Sequence, residues 1–210
     1  DVLSRIIHGG RITLLVGFMC ALIACVVGTV LGMVAAYAGG WIDSAIMRIA
    51  DVQLSLPFII LAIALVAVVG PSLLNIIIVL GLTSWVRFAR VVRAETLVVR
   101  ELDYVTAAVA LGAGHWRILL HHVLPNVASS IIVVATLEIP RLILMEAALS
   151  FLGLGVQPPM PSWGSMVSEG RTYIATAWWL TTLPGLAITM VSLSVNLIGD
   201  WLRDALDVRL

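Results

Sequence analysis

Three ionisable side chains, Glu138, Arg141 and Glu146, stand inside a stretch that is otherwise apolar from Val127 to Leu149. On insertion scales each charged group placed at the centre of a membrane helix costs about 2.5 to 3.5 kcal/mol, so none of them faces lipid cheaply. Glu138 and Arg141 are three residues apart and pair on one helix face. Glu146 is rotated from Glu138 by about 80° and has no basic residue within four positions. Such groups can line a polar passage and meet a charged solute, or they can neutralise one another between packed helices. Self-neutralisation is the preferred reading for Glu138 and Arg141, whereas both readings stay open for Glu146. Pro140 lies between them and leaves the Thr136 carbonyl without its helical donor, which predicts a bend or a polar contact there.

Bond-breaking chemistry finds no footing. The sequence contains neither G-x-S-x-G nor H-E-x-x-H. His121 and His122 are adjacent, so on a helix they diverge by about 100° and make a poor metal pair. No catalytic residue and no metal ligand is assigned. All 12 basic residues are arginine, and the absence of lysine removes the P-loop cation and with it a nucleotide-hydrolysing role for this chain. Zero formal net charge argues against nucleic acid as a partner. Cys20 and Cys25 are five apart on one expected helix, too far for bridge geometry, and are read as free thiols.

The elements that hold these residues are set by the solvent the composition demands. With 61% hydrophobic and 11% charged residues, the chain suits a bilayer. The expected fold is all-α: a polytopic bundle with spans at Ile12 to Ala38, about Ser55 to Val69, Ser72 to Val86, Val127 to Leu149 and about Thr176 to Gly199. The second of these is short, which favours an earlier start near Ala45. Arg48, Arg87, Arg90, Arg93, Arg100, Arg117, Arg203 and Arg209 fall on one side, against Arg5, Arg11 and Arg171 on the other. This bias places residues 93–126 and the C-terminus in the cytoplasm and Asp1 outside, so the topology predicts one more span ahead of Asp1. Trp178 and Trp179 lie about 33 to 35 Å of helix from Trp201, matching an aromatic belt at each face. Gly28 and Gly32 form a small-xxx-small step for close helix packing.

Between the third and fourth spans, Glu101 to Asn126 forms a polar, arginine-flanked island. Tyr104, Ala107, Ala108 and Leu111 share one short helix face. Asp103 is positioned to cap this helix and Gly112 and Gly114 to end it, with a second short helix from His115 to Pro125. A helix-turn-helix unit of this kind suits a partner's groove, although an amphipathic helix lying on lipid headgroups has similar chemistry.

This island resembles the EAA loop of permease subunits of ABC importers. Thr106, Ala107 and Ala108 occupy the EAA positions, Gly112 the glycine, and Leu124-Pro125 closes the motif. Thr106 replaces the usual Glu and His122 the usual Ile. The wording ELDYVTAAVALGA followed by RILLHHVLPN is similar to the dipeptide and oligopeptide branch. ALSFLGLGVQPPMPSWGSMV, Ala148 to Val167, resembles the extracytoplasmic segment of that branch's C-type subunits, and DVLSRIIHGGRITLLVG resembles the approach to their second helix. The resemblance implies a type I importer permease bundle, formed as a single transmembrane domain over residues 1–210, with a coupling loop at about 93–126 and an outer loop at about 150–175. It implies a second homologous permease subunit, two cytoplasmic ATP-binding subunits, an extracytoplasmic solute-binding protein and a bacterial inner membrane. It implies that ATP and Mg sit on the partner ATPases, with no cofactor in this chain. The expected coupling residues are Glu101, Asp103, Tyr104, Thr106, Ala107, Ala108, Leu111, Gly112, His115, Leu124 and Pro125, and the possible path residues are Glu138, Arg141 and Glu146. Peptides are the expected cargo; nickel, glutathione or another small solute is the alternative, and a non-catalytic scaffold or channel is the reading from another class. The outer loop, stiffened by Gln157-Pro158-Pro159-Met160-Pro161, either meets the binding protein or packs only on its own subunit.

Overall fold

A computed structural model describes residues 1–207 as a helical bundle with no strand among them. Arg209, counted in the charge bias, lies outside the described residues. The first helix, α1 (Val2–Ala38), begins ten residues earlier than its uncharged run, because the Asp1 carboxylate accepts the Leu3 N–H at 3.0 Å and caps it. It packs most extensively on α4 (Leu73–Val99). The seam is made by glycine: a Cβ on Gly32 would lie 2.6 Å from the Ala89 carbonyl oxygen, and one on Gly28 would strike the Trp85 carbonyl oxygen and the Phe88 Cβ. The small-xxx-small step therefore brings two backbones together.

The second expected span is not one straight helix. α2 (Gly40–Ser55) and α3 (Phe58–Val69) meet at 93°. Pro57 is the cause, since it drives the preceding Leu56 out of the helical region to φ −95° and ψ 133°. A start near Ala45 would extend one continuous helix through Pro57, and the chain bends there instead. The 12 residues of α3 cover about 18 Å, well short of a hydrocarbon core of about 30 Å. At Gly70 (φ 88°) the chain turns, and Ser72 caps α4 by accepting the Asn75 N–H at 3.1 Å.

α4 does not stop at Val86 but continues to Val99. Its second half is clamped to α2 by Arg90 on Asp51 at 2.6 Å and by a two-pronged contact of Arg93 on Asp43 at 2.5 and 2.6 Å. Arg87 therefore lies mid-helix instead of at a flank, and removing it from the charge count leaves a bias of the same sign.

After α5 (Asp103–Ala110), the chain runs through α6 (His115–Ile118) and a π-helical turn (Leu119–Val123) directly into α7 (Leu124–Phe151). The expected stop at Pro125 does not occur. The proline ring clashes with the carbonyl four residues back, and the wider π turn ahead of Leu124 accommodates it without ending the helix. α7 likewise runs unbroken through Pro140, which is buried. α8 (Trp163–Gly170) folds back across α7, and α9 (Trp179–Asp207) covers both. Among the described residues there are thus four helices long and apolar enough to cross a membrane, and the bent α2–α3 pair makes a fifth crossing if it counts as one span.

Candidate functional site

Two places gather the residues singled out in the sequence. The first is the knuckle formed by α5 and α6. Leu102 takes an extended conformation and occupies the cap position, so Asp103 is the first helical residue and no side chain caps the helix. The expected Asp103 cap is corrected by one position; its carboxylate stays in the first turn, where the helix dipole favours it. Thr106 donates to the Asp103 carbonyl at 2.9 Å and Glu101 pairs with Arg100 at 3.0 Å, both on the exposed side.

Val105 is the residue that nails α5 down. It is buried in a cluster with Met33, Val99, Ile118, Leu119 and Val127. Tyr104 and Ala107 are exposed and Ala108 is half-buried, while Leu111 stands 89% exposed at the tip. Gly112 turns the chain at φ 83°, a conformation that excludes most side chains. Trp116 follows, 69% exposed. Three ties fix this tip to the bundle: Arg100 donates to the Ala36 carbonyl at 2.6 Å, the Tyr37 hydroxyl meets His115 Nδ1 at 3.1 Å, and Asn126 donates to the Tyr104 hydroxyl at 2.9 Å. Leu124 packs against the same cluster and Pro125 is exposed. The result is a rigid support carrying Tyr104, Leu111 and Trp116 outward. Trp116 and Val105 were missed in the sequence, although Val105 follows the buried face once α5 is given its register.

The second place is a charge cluster at mid-bundle. Glu138 is only 2% exposed and accepts from both Arg141 (2.8 Å, three residues on) and Arg87 of α4 (2.9 Å). The intrahelical pair was legible; the second arginine was hidden by the early end assigned to the third span. Arg141 also lies 4.5 Å over the Phe58 ring at the start of α3. Glu146 stands apart from this cluster and is fully buried. One of its oxygens accepts from the Ser150 hydroxyl at 2.6 Å and the Ser162 hydroxyl at 2.9 Å, while the other has no partner. Ser162 also caps α8, so Glu146 ties α7 to the segment that carries α8 from within the protein. That segment packs on its own subunit: Trp163 donates from its backbone to Thr13 and from its indole to the Ile6 carbonyl, filling the space over Gly10.

A buried ionic cluster, an exposed apolar knuckle and several membrane-length helices are thus the features that the singled-out residues build. Residues 28–210 match the family described as binding-protein-dependent transport system inner membrane component, and the chain belongs to that family. It is a membrane-embedded transport permease that works with other subunits of an ABC system. Over all 210 residues it is 47% identical to the dipeptide transport system permease protein DppC of Alkalihalophilus pseudofirmus, covering 69% of that protein. It is 46% identical to the glutathione transport system permease protein GsiD of Pectobacterium atrosepticum, covering 70% of it. The fold is shared with the MetNI methionine ABC transporter in inward-facing conformations, at a TM-score of 0.76 and 19% identity over 96% of each chain.

Proposed function

We propose that this chain is one half of the membrane path of a peptide importer, paired with a second, related permease and driven by two cytoplasmic ATPases that grip the α5–α6 knuckle. An extracytoplasmic binding protein would deliver the cargo to the opposite face, where the α8 segment lies. Peptides are favoured because relatives at 46 to 47% identity are named for dipeptide, di/tripeptide and glutathione transport. The orientation follows from the arginine bias, which puts the knuckle inside the cell.

The observation that carries this reading is the knuckle itself. Leu111 and Trp116 are large apolar side chains left in the open, on a backbone fastened to α1 and α7 by Val105, Arg100 and His115. An exposed tip that is rigidly braced transmits force; a headgroup-bound helix needs no such bracing. Moving a bundle from 1:99 to 99:1 between two facings takes about 5.5 kcal/mol of differential stabilisation. Two or three interface anchors of about 2 to 4 kcal/mol each supply it.

The test is reconstitution with the neighbouring permease and ATPases in proteoliposomes. Peptide uptake driven by ATP, lost in Gly112→Trp together with ATPase co-purification, is the expected outcome. Failure of any ATPase to co-purify under every nucleotide condition would move the chain to the scaffold reading.

A further inference from the structure

At the α2–α3 bend a cavity of about 270 Å³ opens between Gln53, Pro57, Phe58, Ser84, Arg87 and Arg141. We propose that this cavity is a carboxylate site on the transport path, and that it holds the C-terminal carboxylate of a peptide in transit. For its ligand the proposal rests on the peptide-import reading above; for its location it rests on geometry alone.

Charge is the first argument. Arg87 and Arg141 share the single carboxylate of Glu138, so the cluster carries one excess positive charge. Each guanidinium spends one terminal nitrogen on Glu138, leaving further N–H donors in the planar fork that matches a second carboxylate. The second argument is position. Arg87 is the fifteenth of the 27 residues of α4, about 21 Å along it from Leu73, yet its side chain is 55% exposed. A cation at that depth does not face hydrocarbon; it faces a partner or a water-filled path.

The third argument is independent of the arginines. Ser84 lines the same cavity, is only 2% exposed, and its hydroxyl has no hydrogen-bond partner. Its Thr83 neighbour satisfies itself on the Val79 carbonyl at 2.7 Å, and Gln53 is held by the Trp85 indole at 2.9 Å and by the Thr83 carbonyl. Of the two hydroxyls that line the cavity, Ser84 is the one left with a donor to give. α3 also begins here, at Phe58, with no side-chain cap on its first turn, and a helix N-terminus favours negative charge. The remaining wall, from Leu54, Leu56 and Leu61, is apolar and suits a terminal side chain of an apolar peptide.

The experiment uses the assembled complex in nanodiscs, photolabelled with a dipeptide carrying a C-terminal benzophenone-alanine, as the free acid and as the C-terminal amide. The free acid is expected to label the segments around Phe58 and Ser84 at least ten-fold more than the amide. Arg87→Gln and Arg141→Gln are each expected to reduce labelling by the acid about ten-fold or more, as loss of a charge-assisted contact does. Ser84→Ala, which removes no existing bond and so keeps the fold, is expected to reduce it several-fold. Equal labelling by acid and amide, labelling elsewhere only, or labelling unaffected by Ser84→Ala together with Arg87→Gln overturns the site. Dipeptide uptake by wild-type proteoliposomes is read separately: acid-selective labelling without uptake keeps the carboxylate site and overturns the peptide-import reading, whereas uptake without such labelling does the reverse.

Discussion

Glu138 is held from two sides, because guanidiniums from two helices converge on its one buried carboxylate. Removing its charge strands both cations. A fully buried pair broken in this way loses about 3 to 5 kcal/mol. The half-exposed Arg87 lowers that, so Glu138→Gln is expected to cost about 2 to 3 kcal/mol, read as thermal unfolding in detergent or nanodiscs. Ser84→Ala is the counter-case: with no partner to lose, the change is expected to stay within about 0.5 kcal/mol. At this scale the sequence was informative where partners sit on one helix. Glu138 and Arg141 are three apart, and helical geometry alone pairs them. Arg87 comes from 51 positions away, and Ser162 reaches Glu146 across 16, so neither contact had a local signal.

Among the elements, α1 and α4 approach so closely that glycine is obligatory. Gly32→Val would push its Cβ, 2.6 Å from the Ala89 oxygen, into a backbone that cannot retreat, and is expected to destabilise by about 1 to 3 kcal/mol. The same thermal measurement tests it, and Gly185, whose added Cβ meets nothing within 4 Å, supplies the control as Gly185→Ala. The knuckle makes a different demand on Gly112. Nothing lies within 4 Å of its missing side chain, so the cost of Gly112→Val is purely conformational, about 1 to 2 kcal/mol, and Gly112→Asn should be milder. Faster amide exchange in α5 of the valine variant would show it. The apolar runs located the helices, and the proline and glycine breaks located their joints. What the runs did not locate were the helix ends, since α1 continues into polar sequence under the Asp1 cap, α4 under its ion pairs to α2, and α7 by running on from the π turn. The α2–α3 bend has its signal in Leu56-Pro57, because a proline disfavours the helical region for the residue before it, and the short-span reading did not weigh that effect.

For the molecule as a whole, the prediction concerns what touches it. Leu111→Asp and Trp116→Ala alter exposed side chains and should leave unfolding within about 0.5 kcal/mol of the parent. Binding of the ATPases should weaken by about ten-fold or more for each if they are anchors of the interface. Unchanged ATPase binding in the double variant would remove the knuckle from the coupling route. From the sequence, the family resemblance rested on this knuckle and on the outer segment, two signatures far apart in the chain, and the family match over residues 28–210 agrees with it.

Because the π turn at Leu119–Val123 lets Pro125 pass without a break, α6 and α7 form a single rod from His115 to Phe151, about 55 Å long. Trp116 is near one end and Arg141 lies 25 residues along it, about 37 Å away. Torque applied at the exposed tip would therefore travel along a helix that the π turn, Pro125 and Pro140 leave continuous, and a twist of the tip would rotate the Arg141 guanidinium relative to Arg87, which is carried on a different shaft. A motor stroke would open or close the gap between those two cations directly, loosening whatever anion they jointly hold at the moment the path changes its facing.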